Sequence, residues 1–108
     1  MKIEKGSATQ YERSMVFYFY ILRCSDNSLY CGVTNNPERR IKEHNSNNSK
    51  ASRFTRARQP VKLVYAEEYK DLKSAMRREL QIKKWPKAKK EALISNNRQL
   101  LKKLLKKL

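Results

Sequence analysis

Residues 16–34 read VFYFYILRCSDNSLYCGVT, and the fold is decided in this stretch. Its first part, 16–23, is rich in aromatic and β-branched side chains, which suits a buried strand. Ser25, Asp26, Asn27 and Ser28 make a turn cluster, because Asp and Asn tolerate left-handed backbone and bond their own neighbours. Residues 29–34, LYCGVT, then return as the second strand of a hairpin. Side chains alternate faces along a strand, so register decides whether Tyr20 and Tyr30 share a face. A two-residue loop, Asp26-Asn27, would set Tyr30 opposite Arg23 and turn Tyr20 to the other face. A shared face needs one extra residue, either a bulge or a three-residue loop Asp26-Asn27-Ser28 containing a left-handed residue. The expected register therefore brings Cys24 close to Tyr30, with both tyrosine hydroxyls facing Arg40 and Glu79.

Outward from the hairpin, Asn36-Pro37-Glu38 has the marks of a helix start: a capping Asn, Pro at the first helical position and an acid in the first turn. This helix is expected to run to about His44 and to stop in the polar tract NSNNSKAS. Pro60 opens a third strand, PVKLVYAEEY, in which Val61, Leu63 and Tyr65 alternate with Lys62, Val64 and Ala66. Asp71 caps a second helix that ends near Trp85, ahead of Pro86, and a third runs from Lys87 to about Ser95. The order β-β-α-β-α-α implies an α+β fold, a small three-stranded antiparallel sheet flanked by helices. Residues 1–14 read as a flexible arm, 15–95 as the folded domain, and 96–108 as a basic amphipathic helix. In that last segment Leu100, Leu101, Leu104, Leu105 and Leu108 form one stripe with lysines opposite. The stripe is expected to pack on the rest of this domain or on a second copy, ahead of binding an acidic protein partner. A membrane surface is the weaker alternative.

Composition narrows the function. A chain of 108 residues can bury one core. Twenty-six Lys and Arg against 10 Asp and Glu give a net charge of +16, which favours a polyanionic partner, nucleic acid before an acidic protein or an anionic membrane. The apolar run at 16–22 is too short to span a bilayer, and no signal segment precedes it, so the cytoplasm is the expected compartment. Cys24 and Cys31 are then expected to be reduced thiols. One histidine, His44, cannot complete a Cys₂His₂ site, so any metal should be a hard ion held by oxygen.

Glu79 is the residue most out of place. On the second helix Leu72, Ala75, Met76, Leu80 and Ile82 define an apolar face, and Glu79 points into its centre. A carboxylate there is costly unless it is paired or bound to metal. The two explanations are an ion pair with Lys83 or Arg40, and a magnesium ion, which needs only one or two protein carboxylates. Arg40 and His44, four apart, share a helix face, where an Arg can stabilise a pentavalent phosphate and a His can relay a proton; the plainer role is a basic helix that grips phosphate. Tyr20 and Tyr30 are ordinary core candidates, although a phenol beside a metal-bound water can act as a base.

Taken together, Tyr18-Phe19-Tyr20, Leu29-Tyr30-Cys31-Gly32, Arg40 with His44, and Glu79 resemble the GIY-YIG nuclease superfamily. The resemblance spans residues 16–95 and is nearest to the small single-domain bacterial YhbQ-like (UPF0213) branch. It implies a divalent-metal-dependent endonuclease that hydrolyses phosphodiester bonds, DNA ahead of RNA, with Mg2+ or Mn2+ as cofactor. The superfamily includes an excision-repair incision domain, so DNA repair is the implied setting. The resemblance makes Tyr20 and Tyr30 the motif tyrosines, Arg40 the phosphate-stabilising arginine, His44 an auxiliary polar group and Glu79 the metal ligand. Tyr18 stands where the first motif names Gly, and Cys31 where the second names Ile; both are expected to alter packing rather than chemistry. Gly32 is expected to let phosphate or the first helix approach the strand. Lys50, Arg53, Arg56, Arg58 and Lys83 are candidate nucleic-acid contacts. The competing functions are a weakly catalytic binding module with the same basic face, and an adaptor that recruits a partner through its leucine stripe.

Overall fold

In a computed structural model that describes residues 16–47 and 49–96, β1 (Phe17–Arg23) is the middle strand of a three-stranded sheet. β2 (Leu29–Thr34) and β3 (Lys62–Tyr69) flank it, both antiparallel to it. The helices are α1 (Pro37–His44), α2 (Arg53–Arg56), α3 (Leu72–Lys83) and α4 (Lys87–Asn96). The expected α+β architecture is observed, with α2 as an addition. The expected arm at 1–14 and the leucine-striped segment beyond Asn96 lie outside the described residues.

The central position of β1 explains its composition. Tyr18, Phe19, Tyr20, Ile21 and Leu22 are all buried, because both faces of the sheet are covered. On one face Tyr18, Tyr20, Leu22, Cys24, Leu63 and Ala66 pack with Tyr30 and with Ile41 of α1. On the other, Phe19, Ile21 and Tyr65 pack with Ile82 of α3 and with Leu93 and Ile94 of α4. Tyr18 belongs to the first cluster and Cys31 packs against the second, so both departures from the motif names serve packing. Cys24 and Cys31 are free thiols.

The hairpin corrects the expected register. Cys24 N–H donates to the Ser28 carbonyl at 2.9 Å and Asn27 N–H to the Cys24 carbonyl at 2.9 Å, so the three-residue loop is Ser25-Asp26-Asn27. Asn27 is its left-handed residue, φ 70°, and Asp26 Oδ1 accepts from Ser28 N–H at 3.0 Å. Tyr30 therefore pairs with Leu22, not with Cys24, and Tyr20 pairs with Gly32. The loop sits one residue earlier than expected because Asn27, not Ser28, takes the left-handed third position. This moves the pairing by two residues and leaves parity unchanged, so Tyr20 and Tyr30 share a face.

β3 departs from simple alternation. Ile21 pairs with Tyr65 but Leu22 with Leu63, which leaves Val64 as an extra residue at a bulge. Leu63 and Tyr65, expected on one face, consequently lie on opposite ones. α3 also differs from its reading. Only Ala75 and Ile82 of its apolar residues are buried, whereas Leu72, Met76 and Leu80 are 45%, 47% and 55% exposed. Its inward row includes Arg78, whose Nε and Nη2 each donate to Glu67 of β3 at 2.9 Å. Glu67 also accepts from the Tyr65 and Tyr69 hydroxyls, so one half-buried carboxylate ties α3 to the sheet. Glu67→Ala is expected to cost about 2 kcal/mol in denaturant unfolding, because it leaves Arg78 without its charged acceptor. An unchanged unfolding midpoint would contradict this anchoring role.

Candidate active site

Antiparallel pairing puts Tyr20 opposite Gly32, and the phenol lies across the glycine. A Cβ at position 32 would overlap the Tyr20 ring and hydroxyl. Gly32 thus makes room for a neighbouring side chain, which corrects the expectation that phosphate or the first helix occupies that space. The Tyr20 hydroxyl reaches His44 Nε2 at 2.9 Å, and His44 Nδ1 lies 2.8 Å from Thr55 Oγ1. His44 and Thr55 are fully buried. The Tyr30 ring stands edge-on to the imidazole at 5.0 Å and 6.5 Å from the Tyr20 ring. Phe54 stacks on Tyr30 at 6.0 Å.

Tyr20, Tyr30, Gly32, Val33, Arg40, Leu72, Met76 and Glu79 line one open cleft of about 340 Å³. Four of the five residues expected to carry chemistry therefore meet at one surface, and His44 lies behind Tyr20 rather than in the cleft wall. Arg40 is half-buried; its Nη1 donates to Glu43 Oε1 at 2.8 Å and to the Lys50 carbonyl at 2.8 Å. Glu79 comes from α3, on the far side of the sheet, and sits half-buried at this cleft. It occupies the boundary between the buried row of α3 and the exposed row Leu72, Met76 and Leu80, not the centre of a buried apolar face. Among the described residues no Lys or Arg lies in ion-pair distance of Glu79, so the ion pair with Lys83 or Arg40 is not formed.

The electrostatics follow from this packing. Burial pushes the Tyr20 phenol well above its ordinary value, Tyr30 and Glu79 push the same way, and Arg40 opposes them. Burial, reinforced by Arg40 and opposed by Glu43, brings His44 down to about 4. His44 is accordingly a neutral imidazole near neutral pH. No group of three or more His, Cys, Asp or Glu converges among the described residues, and Glu79 is the carboxylate that lines the cleft.

The candidate nucleic-acid residues are scattered along the α2 segment. Ser52 caps α2 by accepting from Thr55 N–H at 3.1 Å, a turn that the expected order β-β-α-β-α-α does not contain. Lys50, Arg53 and Arg56 are exposed, and Lys83 is exposed on α3. Arg58 is more constrained: its Nε pairs with Asp26 at 3.1 Å and its guanidinium lies 3.9 Å from the Phe54 ring centroid. Sequence reasoning gave no role to Thr55 or Phe54. The available signal was Ser52 three residues before Thr55, the spacing of a capping serine.

Two outcomes follow from this geometry. Gly32→Ala must displace Tyr20 and should cost roughly 1–3 kcal/mol in unfolding free energy. It should also move the His44 imidazole signals, because the Tyr20 bond to Nε2 is lost; a variant with wild-type stability and unmoved signals would contradict the close approach. The second outcome is pH dependence. Below pH 6.5 the unfolded chain binds a proton at His44 that the folded chain refuses until about 4. The stability contributed by neutral His44 is thus present above 6.5 and lost as pH falls towards 4. An imidazole NMR titration with its midpoint near 6.5 would refute this.

The family profile described as the GIY-YIG catalytic domain matches residues 16–92. A UPF0213 protein of Bacillus licheniformis is 48% identical over 81 residues, covering 75% of this chain and 81% of that protein. A UPF0213 protein of Clostridium perfringens is 51% identical over 79 residues, covering 73% of this chain and 83% of its relative. The solution NMR structure of a UPF0213 protein from Bacillus halodurans is 42% identical and covers 75% of this chain and 84% of that one, with a TM-score of 0.48. The profile match and these identities give one answer: the chain belongs to the GIY-YIG family, among its UPF0213 members.

Proposed function

We propose that this protein is a divalent-metal-dependent endonuclease that hydrolyses phosphodiester bonds in nucleic acid, DNA ahead of RNA, with Glu79 as the protein ligand of one Mg2+ or Mn2+ ion. The observation that carries this reading is Glu79 itself. On a chain of net charge +16, a half-buried carboxylate faces a cleft with two tyrosines and an arginine and has no cation in ion-pair distance among the described residues. Binding polyanions gives no reason to place a carboxylate there.

One carboxylate, with the remaining ligand positions left to water and phosphate oxygens, suits magnesium, which gives up its waters reluctantly. It does not suit zinc, which takes three or four protein ligands, mostly histidine nitrogen and cysteine sulfur. When bound, the ion would polarise the scissile phosphate and offset its developing charge. Arg40 adds a fixed positive charge to the same cleft, held in place by Glu43 and the Lys50 carbonyl, so it needs little reorganisation as charge develops. Tyr20 and Tyr30 present hydroxyls that orient the attacking water, and Tyr20, once its own proton has passed to His44 Nε2, accepts the proton of that water. Lys50, Arg53, Arg56, Arg58 and Lys83 contribute phosphate contacts outside the cleft.

The test is incubation of the full chain with single-stranded, duplex and branched DNA and with RNA, with and without magnesium or manganese. Metal-dependent cleavage is expected, and Glu79→Ala should lower turnover about 10²–10³-fold with affinity equal or slightly higher. Arg40→Ala should cost more in turnover than in affinity. Full activity in folded Glu79→Ala would remove the metal-ligand assignment. Tight binding without cleavage of any substrate by the wild type would make the protein a binding module instead.

A further inference from the structure

Behind Tyr20 the hydrogen bonds do not stop at His44. Thr55 Oγ1, 2.8 Å from His44 Nδ1, lies 2.8 Å from Ser52 Oγ, and Ser52 is half-buried at the start of α2. From the cleft inward the order is Tyr20 hydroxyl, imidazole, Thr55 hydroxyl, Ser52 hydroxyl. Resting on the nuclease reading, we propose that Thr55 and Ser52 complete a proton relay that carries the Tyr20 proton from the cleft to the α2 surface, with Thr55 as the positioning residue that lets His44 change tautomer.

The chemistry of the partners supports a relay over a fixed prop. A carboxylate at Nδ1 accepts only, and so pins one tautomer. A threonine hydroxyl both donates and accepts, so the imidazole can carry its proton on either nitrogen. Tyr20 can act as a base only after losing its own proton, and burial opposes that loss. His44 cannot simply store the proton, since burial and Arg40 disfavour the imidazolium. A concerted shift avoids both difficulties. The Tyr20 O–H bond breaks as Nε2–H forms, Nδ1–H breaks as a new Thr55 O–H forms, and the former Thr55 proton moves to Ser52 Oγ. Ser52 releases its own proton to bulk water or buffer base. The imidazole ends neutral in the other tautomer, and the phenolate then takes a proton from the attacking water.

The surroundings limit competing routes. The groups facing His44 are Arg40 and Glu43 on its own helix, Tyr20 and Tyr30 from the sheet, and Thr55 from α2. The Thr55 proton has one other resting place, the Ser52 carbonyl at 3.3 Å, a longer and weaker contact than the hydroxyl. Ser52 Oγ is kept in position by Thr55 N–H at 3.1 Å.

His44 is the chain's one histidine, so its imidazole ¹⁵N signals are unambiguous in the full-length protein. The wild type is expected to show Nδ1 and Nε2 shifts averaged between the two neutral tautomers. Thr55→Val, which keeps the shape and removes the hydroxyl, should collapse them to one tautomer, and Thr55→Ser should restore the average. With magnesium and DNA, Thr55→Val should lower kcat about tenfold to a hundredfold at neutral pH with KM unchanged. The loss should shrink as pH rises, because hydroxide can then deprotonate Tyr20 directly, and Thr55→Ser should recover the rate. If Thr55→Val does not fold, Ser52→Ala at the half-buried outer link should reproduce the pH-dependent loss. A single fixed tautomer in the wild type overturns the relay, whether or not DNA is cut. So does a pH-independent loss, or wild-type kinetics in folded Thr55→Val. Averaged signals in a wild type that cleaves nothing would support the relay's mobility and sink the nuclease function alone.

Discussion

The close approach of the Tyr20 ring to Gly32 is the contact on which the site depends. Lying across the glycine, the phenol reaches the β2 side of the sheet, where the cleft opens, and meets His44 from α1. Every other part is arranged around that position. Tyr30 occupies the same face two residues before the glycine, α1 brings Arg40 and His44 over it, and α2 closes the far side with Thr55. Any side chain at position 32 would change all of these at once, because a buried aromatic ring has few alternative places in a packed interior.

Glu79 reaches the same cleft by a different route. Its helix covers the opposite face of the sheet and is held by the Arg78–Glu67 pair and by Ala75 and Ile82. A helix anchored mainly by apolar burial would have turned Leu72, Met76 and Leu80 inward and taken Glu79 towards the core with them. The polar tether rotates the helix so that this row stays exposed and the carboxylate meets the cleft edge. Partial exposure suits the proposed metal-binding role, because a magnesium ligand must leave room for water and phosphate oxygens.

The sheet and the main helices were legible in the sequence because their signals are local: aromatic and β-branched runs, capping Asn36 and Asp71, and Pro37 and Pro86 at helix boundaries. The shared face of Tyr20 and Tyr30 was legible from parity, although the loop position was one residue out, since choosing Asn27 over Ser28 as the left-handed residue depends on backbone geometry. The inward face of α3 was misread because Arg78 finds its acceptor 11 residues away on β3, beyond any helical period. The bulge at Val64 likewise has no composition of its own; it appears only when β3 must match β1. Thr55 was overlooked because the feature that matters is its burial against His44, which a polar tract conceals.

The three-residue hairpin loop has a consequence for how this family of chains can change length. If the loop kept its three-residue geometry, gain or loss of a single codon between Cys24 and Ser28 would slip the strands by one residue, send Tyr30 to the α3 side of the sheet and leave Tyr20 alone in the cleft. Two codons gained or lost together preserve the pairing parity and leave the tyrosines as neighbours. Viable single-residue changes at this exposed turn should therefore be those that the loop takes up in its own length, leaving Leu22 opposite Tyr30, and not those that slip the strands.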